Sequence, residues 1–569
     1  MSKLVRRIFN RNKLKASTHL DDHYNNFLDI IAPIIYVKNY EKLLFSYAFD
    51  NINNEIIFEF LTDQLTDEAE RLKGSDGLQD DRDRKQNNLF SRILFWRFII
   101  LKSQVFSANF RNKFMLSKTA NQGLTDVKIF YAVSKYAGNY HRLQICPKLN
   151  LSKSMIYVLC NKMRMELRID HVFCDKLLEI WEDEINICFN YEDDIIVDLQ
   201  TWFYSNPPET AIFTVKLFVI KHIIYQIVLA LHYLHQNGIC YRNLNLRTCG
   251  ITRFVKIMFK NCEVNVPVIK LTDFAFASTL DKETFIIYGI SNELPFRAPG
   301  MLTGAYALEV DVWSIGVVAY TLLTGTLPFT GSEDQIIKSI TGFTRLDMLK
   351  LVKFDSMTKN FIQTLFVSKL SEKNFLKHLL KSEWFIDINI LDLLGITMTK
   401  ENFISQHLEK IKLRLLKVAD YSLFAIICRI LLIKRLPTRS IDPMIVNLFH
   451  ILEKDNSSYI ELNELEIFAR YICQDQKELI KCALRHLNVF ETDLIPRFVF
   501  FALMLDISEI DEIHLKELFV ILDIYRIGYL NVTLFDQMYE AANEINFIKN
   551  MMKEIQKPID YVAFKKMLR

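Results

Sequence analysis

Apolar and polar positions change period along the chain. Between Phe114 and about Glu192 the apolar residues fall in short runs, VKIFYAV at 127–133, HRLQIC at 141–146 and INICF at 185–189, which predict strands. One longer segment near Ser152–Ile169 interrupts them with helical spacing. From 193 to 385 the pattern is mostly helical. From Ile386 to Arg569 it is helical throughout, with short polar interruptions every few dozen residues. The predicted order is therefore a β-rich lobe, a helical lobe and a series of helix–loop–helix units, an α+β chain with an all-α tail. Ahead of it, residues 1–20 carry six Lys or Arg and no acid, 21–61 read as apolar and helical, and 62–88 as an acidic polar linker. The stretch 89–114 holds several bases with aromatics interleaved.

Length adds that 569 residues exceed one compact core and imply three or four domains. A net charge of +3 gives no footprint for wrapping nucleic acid. The apolar runs Ile93–Leu101 and Ser422–Ile433 are too short to cross a bilayer and are broken by Arg97 and Arg429. Ten cysteines show no C-x-x-C, so neither a disulfide framework nor a zinc site is indicated, and a soluble, reduced, cytoplasmic chain is expected. Residues 1–20 and 89–114 leave membrane-surface contact open beside the plainer readings of a solvated tail and a packed helix. Only 15 Gly in the whole chain leave little for glycine-rich phosphate loops.

Several strings then occur in a fixed order: YLHQNGICYRNLNLRTCGI at 233–251, IKLTDFAFAS at 269–278, PFRAPGML at 295–302, DVWSIGVVAYTLLTGTLPF at 311–329 and SKLSEKNFLKHLLKSEWF at 368–385. They resemble the catalytic loop, D-F-G turn, A-P-E segment, buttressing helix and closing segment of protein kinases. In the tail, LFHILEKDNSSYIELNELEIFA and FVILDIYRIGYLNVTLFDQM resemble EF-hands. Together the order is similar to the calcium-dependent protein kinases of plants and protists. That resemblance implies a bilobal kinase fold with a small lobe at 114–192 and a large lobe at 193–385. It also implies a junction at 386–440, here a basic amphipathic helix at 407–436, and an EF-hand-like domain at 441–569. Residues 1–113 form an extension outside it.

Phosphoryl transfer needs charges placed around ATP, Mg²⁺ and an acceptor hydroxyl. On this resemblance the catalytic-loop Asp falls on Asn243, which cannot take a proton at neutral pH. The Lys two residues on falls on Asn245, and the Mg²⁺-holding Asn on Thr248. The small-lobe Lys of V-A-I-K falls on Gln144, and its helix Glu near Lys162, with Glu166 one turn away. Tyr191 falls at the back of the adenine pocket. Gly300 replaces the A-P-E Glu and Lys373 its Arg partner, while Asp311, Trp313 and Gly316 keep the buttressing helix. Asp273 remains as the D-F-G carboxylate, able to hold one Mg²⁺ or to serve as a capped strand end.

The implied function is a catalytically inactive kinase-like scaffold or allosteric partner that binds other proteins. A Ser/Thr kinase with residual ATP-dependent transfer and a Ca²⁺-responsive module remain the alternatives. Of the family's cofactors, ATP with Mg²⁺ is put in doubt by these losses. Ca²⁺ stays open at the first tail loop, with Glu453, Asp455, Ser457, the Tyr459 carbonyl and Glu464 at ligand positions and Glu461 at the water-mediated one. In the third loop Asp523 and Gly528 remain, but Tyr525, Ile527 and Leu534 stand at ligand positions. Phe449, Phe468, Phe519 and Phe535 read as core.

Overall fold

The computed structural model describes residues 105–569 apart from interior stretches, of which 280–292, 367–374 and 531–557 are the longest; residues 1–104 lie outside the description. The first strands build a six-stranded sheet from β1 (Val105–Phe106), β2 (Phe114–Gln122), β3 (Lys128–Ser134), β4 (Tyr140–Pro147), β5 (Leu177–Glu182) and β6 (Asn186–Glu192). Their order is β1-β5-β6-β4-β3-β2, antiparallel except for β1 against β5. In β4 the alternation predicts the two faces. His141, Leu143 and Ile145 turn inward, and the last two pack with Phe110, Phe114, Ala132 and Cys188. Arg142 and Gln144 take the opposite face, towards the helix and the cleft. That helix, α1 (Lys153–Glu166), falls within the predicted segment.

The second lobe is built on α2 (Phe213–Gln236) and α3 (Glu309–Thr324). By length and composition α2 could cross a membrane, but it runs through the lobe's interior with fourteen residues buried. This qualifies the sequence reading, which weighed apolar runs and not whole helices. Trp313 is enclosed by Phe329, Phe343 and Phe366, with ring centroids 5.0–5.8 Å away. A Cβ on Gly316 would lie 3.0 Å from the Phe366 ring and 3.1 Å from Leu365, so the helix approaches only where no side chain intervenes.

The mostly helical reading of 193–385 missed one feature. The two-residue β7 (Val197–Asp198) pairs with β9 (Cys249–Phe259), and β9 with β10 (Cys262–Leu271), in a long hairpin. Its turn is Lys260–Asn261, both at positive φ (47° and 66°), which matches the right-handed twist of the strands without glycine. Short β8 (Ile239–Cys240) pairs with β11 (Ser278–Thr279) and brackets the catalytic-loop segment.

The predicted junction helix 407–436 is two helices. α4 (Lys400–Lys417) ends in a 3-10 turn at Val418–Asp420, and Ser422 caps a new helix, α5 (Leu423–Arg435). The Ser422 hydroxyl accepts from the Ala425 amide, a restart that a purely apolar reading overlooks.

Beyond it the tail is not purely helical. Helices α6 (Pro443–Leu452) and α7 (Leu462–Ile472) flank β12 (Tyr459–Glu461), while α8 (Lys477–Leu487) and α9 (Arg497–Met504) flank β13 (Leu494–Pro496). β12 and β13 pair antiparallel, Ile460 opposite Ile495. Farther on, α10 (Glu512–Leu522), β14 (Tyr529–Leu530), β15 (Ile559–Asp560) and α11 (Tyr561–Leu568) repeat the arrangement, β14 against β15. Phe449, Phe468 and Phe519 are buried in the shared core, whereas Phe535 lies outside the described residues.

Arg429 crosses that core fully buried. Its guanidinium donates to the carbonyls of Ala502 (2.9 Å), Leu505 and Leu568, satisfying helix-end acceptors that water cannot reach.

The tail rests on the first sheet. Glu179 on β5 accepts from Lys113 (2.9 Å) and from Arg435 at the end of α5 (2.5 Å). Its other oxygen receives the Trp181 and Asn190 side chains. Buried as it is, Glu179 would favour protonation, but the two cations pull its pKa well below the usual carboxylate range. Lys176 donates to the carbonyls of Ile433 (3.3 Å) and Leu436 (2.7 Å), capping α5, while Glu192 accepts from the amide and hydroxyl of Thr438. Arg497 meets Asp170 at 2.5 Å.

Candidate functional site: the cleft between the lobes

The segment Tyr241–Thr248 crosses the floor of the cleft and hangs from α3. Buried Asp311 accepts the amides of Tyr241 (2.8 Å) and Arg242 (2.7 Å) on separate oxygens and meets His235 Nε2 at 2.9 Å. The Arg242 side chain is consumed too: its Nε donates to the Phe276 carbonyl at 2.7 Å and its Nη1 to the Tyr306 hydroxyl at 2.6 Å.

Above this floor stand the residues singled out in the sequence. Asn243, Asn245 and Thr248 are buried and bonded mainly among themselves: Thr248 Oγ1 donates to the Asn243 carbonyl (2.7 Å), and Asn245 Oδ1 accepts the amides of Arg247 and Thr248. The Asn243 amide group donates to the carbonyl of Asp273 (3.1 Å) and to its Oδ2 (3.3 Å). Asp273 itself is not capped by nearby backbone. It sits at φ 56°, ψ 76°, left-handed for a non-glycine residue, and its carboxylate reaches other elements.

One of those elements is α1. Lys162 Nζ lies 2.7 Å from Glu166 Oε1 and 3.2 Å from Asp273 Oδ1. Burial alone would lower the lysine's pKa, but the two carboxylates outweigh it and hold the ammonium above its ordinary range. Lys162 and Glu166 both turn inward, four residues apart on one helix face, and pair with each other.

The upper wall is equally occupied. The Tyr191 hydroxyl lies 2.6 Å from Glu166 Oε2 and 3.4 Å from Gln144 Oε1. The Arg142 guanidinium lies over the Tyr191 ring, 4.7 Å from its centroid, and pairs with buried Asp175. Arg142 shares the cleft-side face with Gln144. Neither Arg142 nor Asp175 was singled out from the sequence; the signal was available in Arg142, a charged residue at a mid-strand position two before Gln144.

The described part of this cleft fits ATP with Mg²⁺ poorly. Gln144 offers no charge to a phosphate, Arg142 is committed to Asp175 and Tyr191, and Asp273 already faces an ammonium.

The first tail loop was the other candidate. Ser458, at its sixth position, takes φ 66°, the conformation a glycine would adopt more readily, and donates its amide to Glu453. Asp493, sixth when Asn488 is counted as the first, repeats this at φ 57° with its amide 3.2 Å from Asn488 Oδ1. The same left-handed turn thus occurs twice. The donors fit an ion poorly: Glu453 also meets His450 (3.1 Å), and Glu464 is paired with Lys454. Ser457 is buried, Tyr459 stands opposite Pro496 in the strand pair, and Asp455 lies outside the described residues. Among the described residues no group of three or more His, Cys, Asp or Glu could hold a metal. Lys373, Asp523, Tyr525, Ile527, Gly528 and Leu534 likewise lie outside the description.

Residues 148–385 match the family model of the protein kinase domain. The chain contains a protein kinase domain. Calcium-dependent protein kinase 4 of Plasmodium berghei (strain Anka) is 21% identical over 368 residues, 62% of each chain. Its counterpart of the same name in Plasmodium falciparum (isolate 3D7) is 22% identical over 262 residues, 45% of this chain and 46% of that one. NUAK family SNF1-like kinase 1 of Mus musculus is 24% identical over 238 residues, 40% of this chain and 32% of the relative. The chain thus spans about a third of the length of that relative. The kinase domain matched in this way contains the floor of the cleft, α1 and most of the tail's docking surface, while Arg142 and Gln144 lie just ahead of it.

Proposed function

We propose that the kinase domain is non-catalytic and that the chain works as a scaffold or allosteric partner for other proteins. The observation that carries this reading is the bond from Asn243 to Asp273. Where phosphoryl transfer needs a base to receive the acceptor's proton, this chain has an amide that donates a hydrogen bond to the Asp273 carboxylate. Loss of the base typically costs 10²–10⁴-fold by itself, and the neutral Gln144 and Asn245 remove further charge.

A second reading concerns the tail. The paired strands and the left-handed sixth residues favour two pairs of EF-hand-like units that retain the fold and serve as a docked module. Lys454 on Glu464 argues that the first loop does without Ca²⁺.

Purified full-length chain is assayed for phosphate transfer from labelled ATP with Mg²⁺ to generic Ser/Thr acceptors. No transfer above background is expected, with or without Ca²⁺. A steady rate that disappears in Asp273→Ala would overturn the reading.

A further inference from the structure

We infer that Lys162 is a built-in counter-ion of Asp273, a positioning residue whose ammonium does the joining of α1 to the D-F-A turn that a bound metal–nucleotide would otherwise do. Asp273 has a side chain 44% exposed to the cleft, yet its backbone is held in the left-handed region. A non-glycine residue stays there only when its surroundings hold it. Three side chains do so here. Asn243 binds it from the floor. Lys162 binds its Oδ1, and neighbouring Asn161 donates to the carbonyls of Ala275 (3.0 Å) and Ala277 (2.7 Å). Two of the three therefore come from consecutive residues of α1.

The charge comes from the helix and not from β4. Gln144 is neutral, and Arg142 is spent on Asp175. Glu166, one turn along from Lys162, aims the ammonium, and the Tyr191 hydroxyl steadies Glu166 in turn. Lys162 and Glu166 both sit on α1, so the ammonium is aimed from within the helix. A divalent ion at Asp273 would share the carboxylate with an ammonium already paired to its Oδ1, and two cations on one carboxylate repel. The helix and the turn are consequently joined without a ligand.

The test uses thermal unfolding and hydrogen exchange of the full chain, with and without millimolar Mg²⁺ or Mg²⁺ plus ATP, in the wild type and three variants. The wild type is expected to show no shift with either addition. Lys162→Met is expected to melt at least about 5 °C lower, to exchange faster at 153–166 and 271–279, and to regain part of that loss with Mg²⁺. Lys162→Arg, which keeps the charge, is expected to exchange like the wild type and to ignore Mg²⁺. If Lys162→Met does not fold, Asp273→Asn serves in its place: faster exchange at 153–166 with no recovery in Mg²⁺ supports the inference, and unchanged exchange there overturns it. A Mg²⁺–ATP shift in the wild type that Lys162→Met abolishes also overturns it, since the ammonium would then be meeting phosphates. So does a Lys162→Met chain as stable as the wild type. Phosphate transfer is not read in this experiment, so the non-catalytic reading stands or falls separately.

Discussion

The two sides of the segment Tyr241–Thr248 differ in what they have kept. Its underside hangs from Asp311 by two backbone amides, with His235 on the same carboxylate. Its upper side, where chemistry would occur, presents Asn243, Asn245 and Thr248, which bond to one another and to Asp273. Folding depends on the first set, because a buried amide without an acceptor costs free energy in every molecule. It does not depend on the second, since amides and hydroxyls satisfy one another as well as charged groups would. A loop can therefore lose its reaction while keeping its shape.

Removing the underside is the strongest way to break this comparison. Asp311→Ala would orphan two amides and His235, and is expected to cost about 4 kcal/mol, enough to lower Tm steeply or prevent folding. Circular dichroism on heating reads it, and a near-native Tm would contradict the distinction. Next in size is the clamp on the tail. Glu179→Ala leaves Lys113 and Arg435 only the more exposed carboxylate of Glu517, with an expected loss of about 2 kcal/mol and faster hydrogen exchange in α5.

A pH effect follows from beside that clamp. Burial lowers the His141 pKa from 6.5 to about 4, against the pull of Glu179 and the bond to Asn190 and with the push of Lys113 and Arg439. The unfolded chain takes up that proton between about pH 6.5 and 4 while the folded chain refuses it. His141 thus makes stability fall as pH drops through this window, by up to ~1.4 kcal/mol per pH unit. Below pH 4.5 the depressed carboxylates of Glu179 and Glu192 add to the loss. His141→Asn is expected to flatten the slope between pH 6.5 and 4.5 in urea titrations.

The upper side should respond far less. Asn243→Asp restores a carboxylate but sets it against Asp273 and removes a donor; a loss of about 1 kcal/mol and no gain in phosphate transfer are expected. Recovered transfer would mean that the cleft had kept more than its charges suggest. Smallest of all, Glu464→Gln in the tail should change stability by less than about 0.5 kcal/mol, because its pair with Lys454 is partly exposed, and should leave a flat Ca²⁺ titration flat.

The kinase domain was legible in the sequence because its order of motifs is local. Tyr241–Thr248, the D-F-A turn, Asp311 and Trp313 each sit in a string whose spacing survives substitution. That Asn243, Asn245, Thr248 and Gln144 carry no charge was equally plain, since residue type alone says whether a group can carry one. Period likewise foretold β3, β4 and β6 of the small lobe and α1, but not β1, β2 or β5. It failed for the β9–β10 hairpin, whose turn Lys260–Asn261 has no glycine, and for the junction, where one serine cap divides a continuous apolar run.

Partners brought together from distant segments were decided only by the tertiary structure. Arg142 and Asp175, Lys162 and Asp273, Glu179 and Arg435 lie 33, 111 and 256 residues apart. No periodicity relates such positions, and the energy of each pair exists only once burial has stripped water from both. The sequence states which charges this chain possesses; packing determines which of them face one another, and so which are left for a ligand.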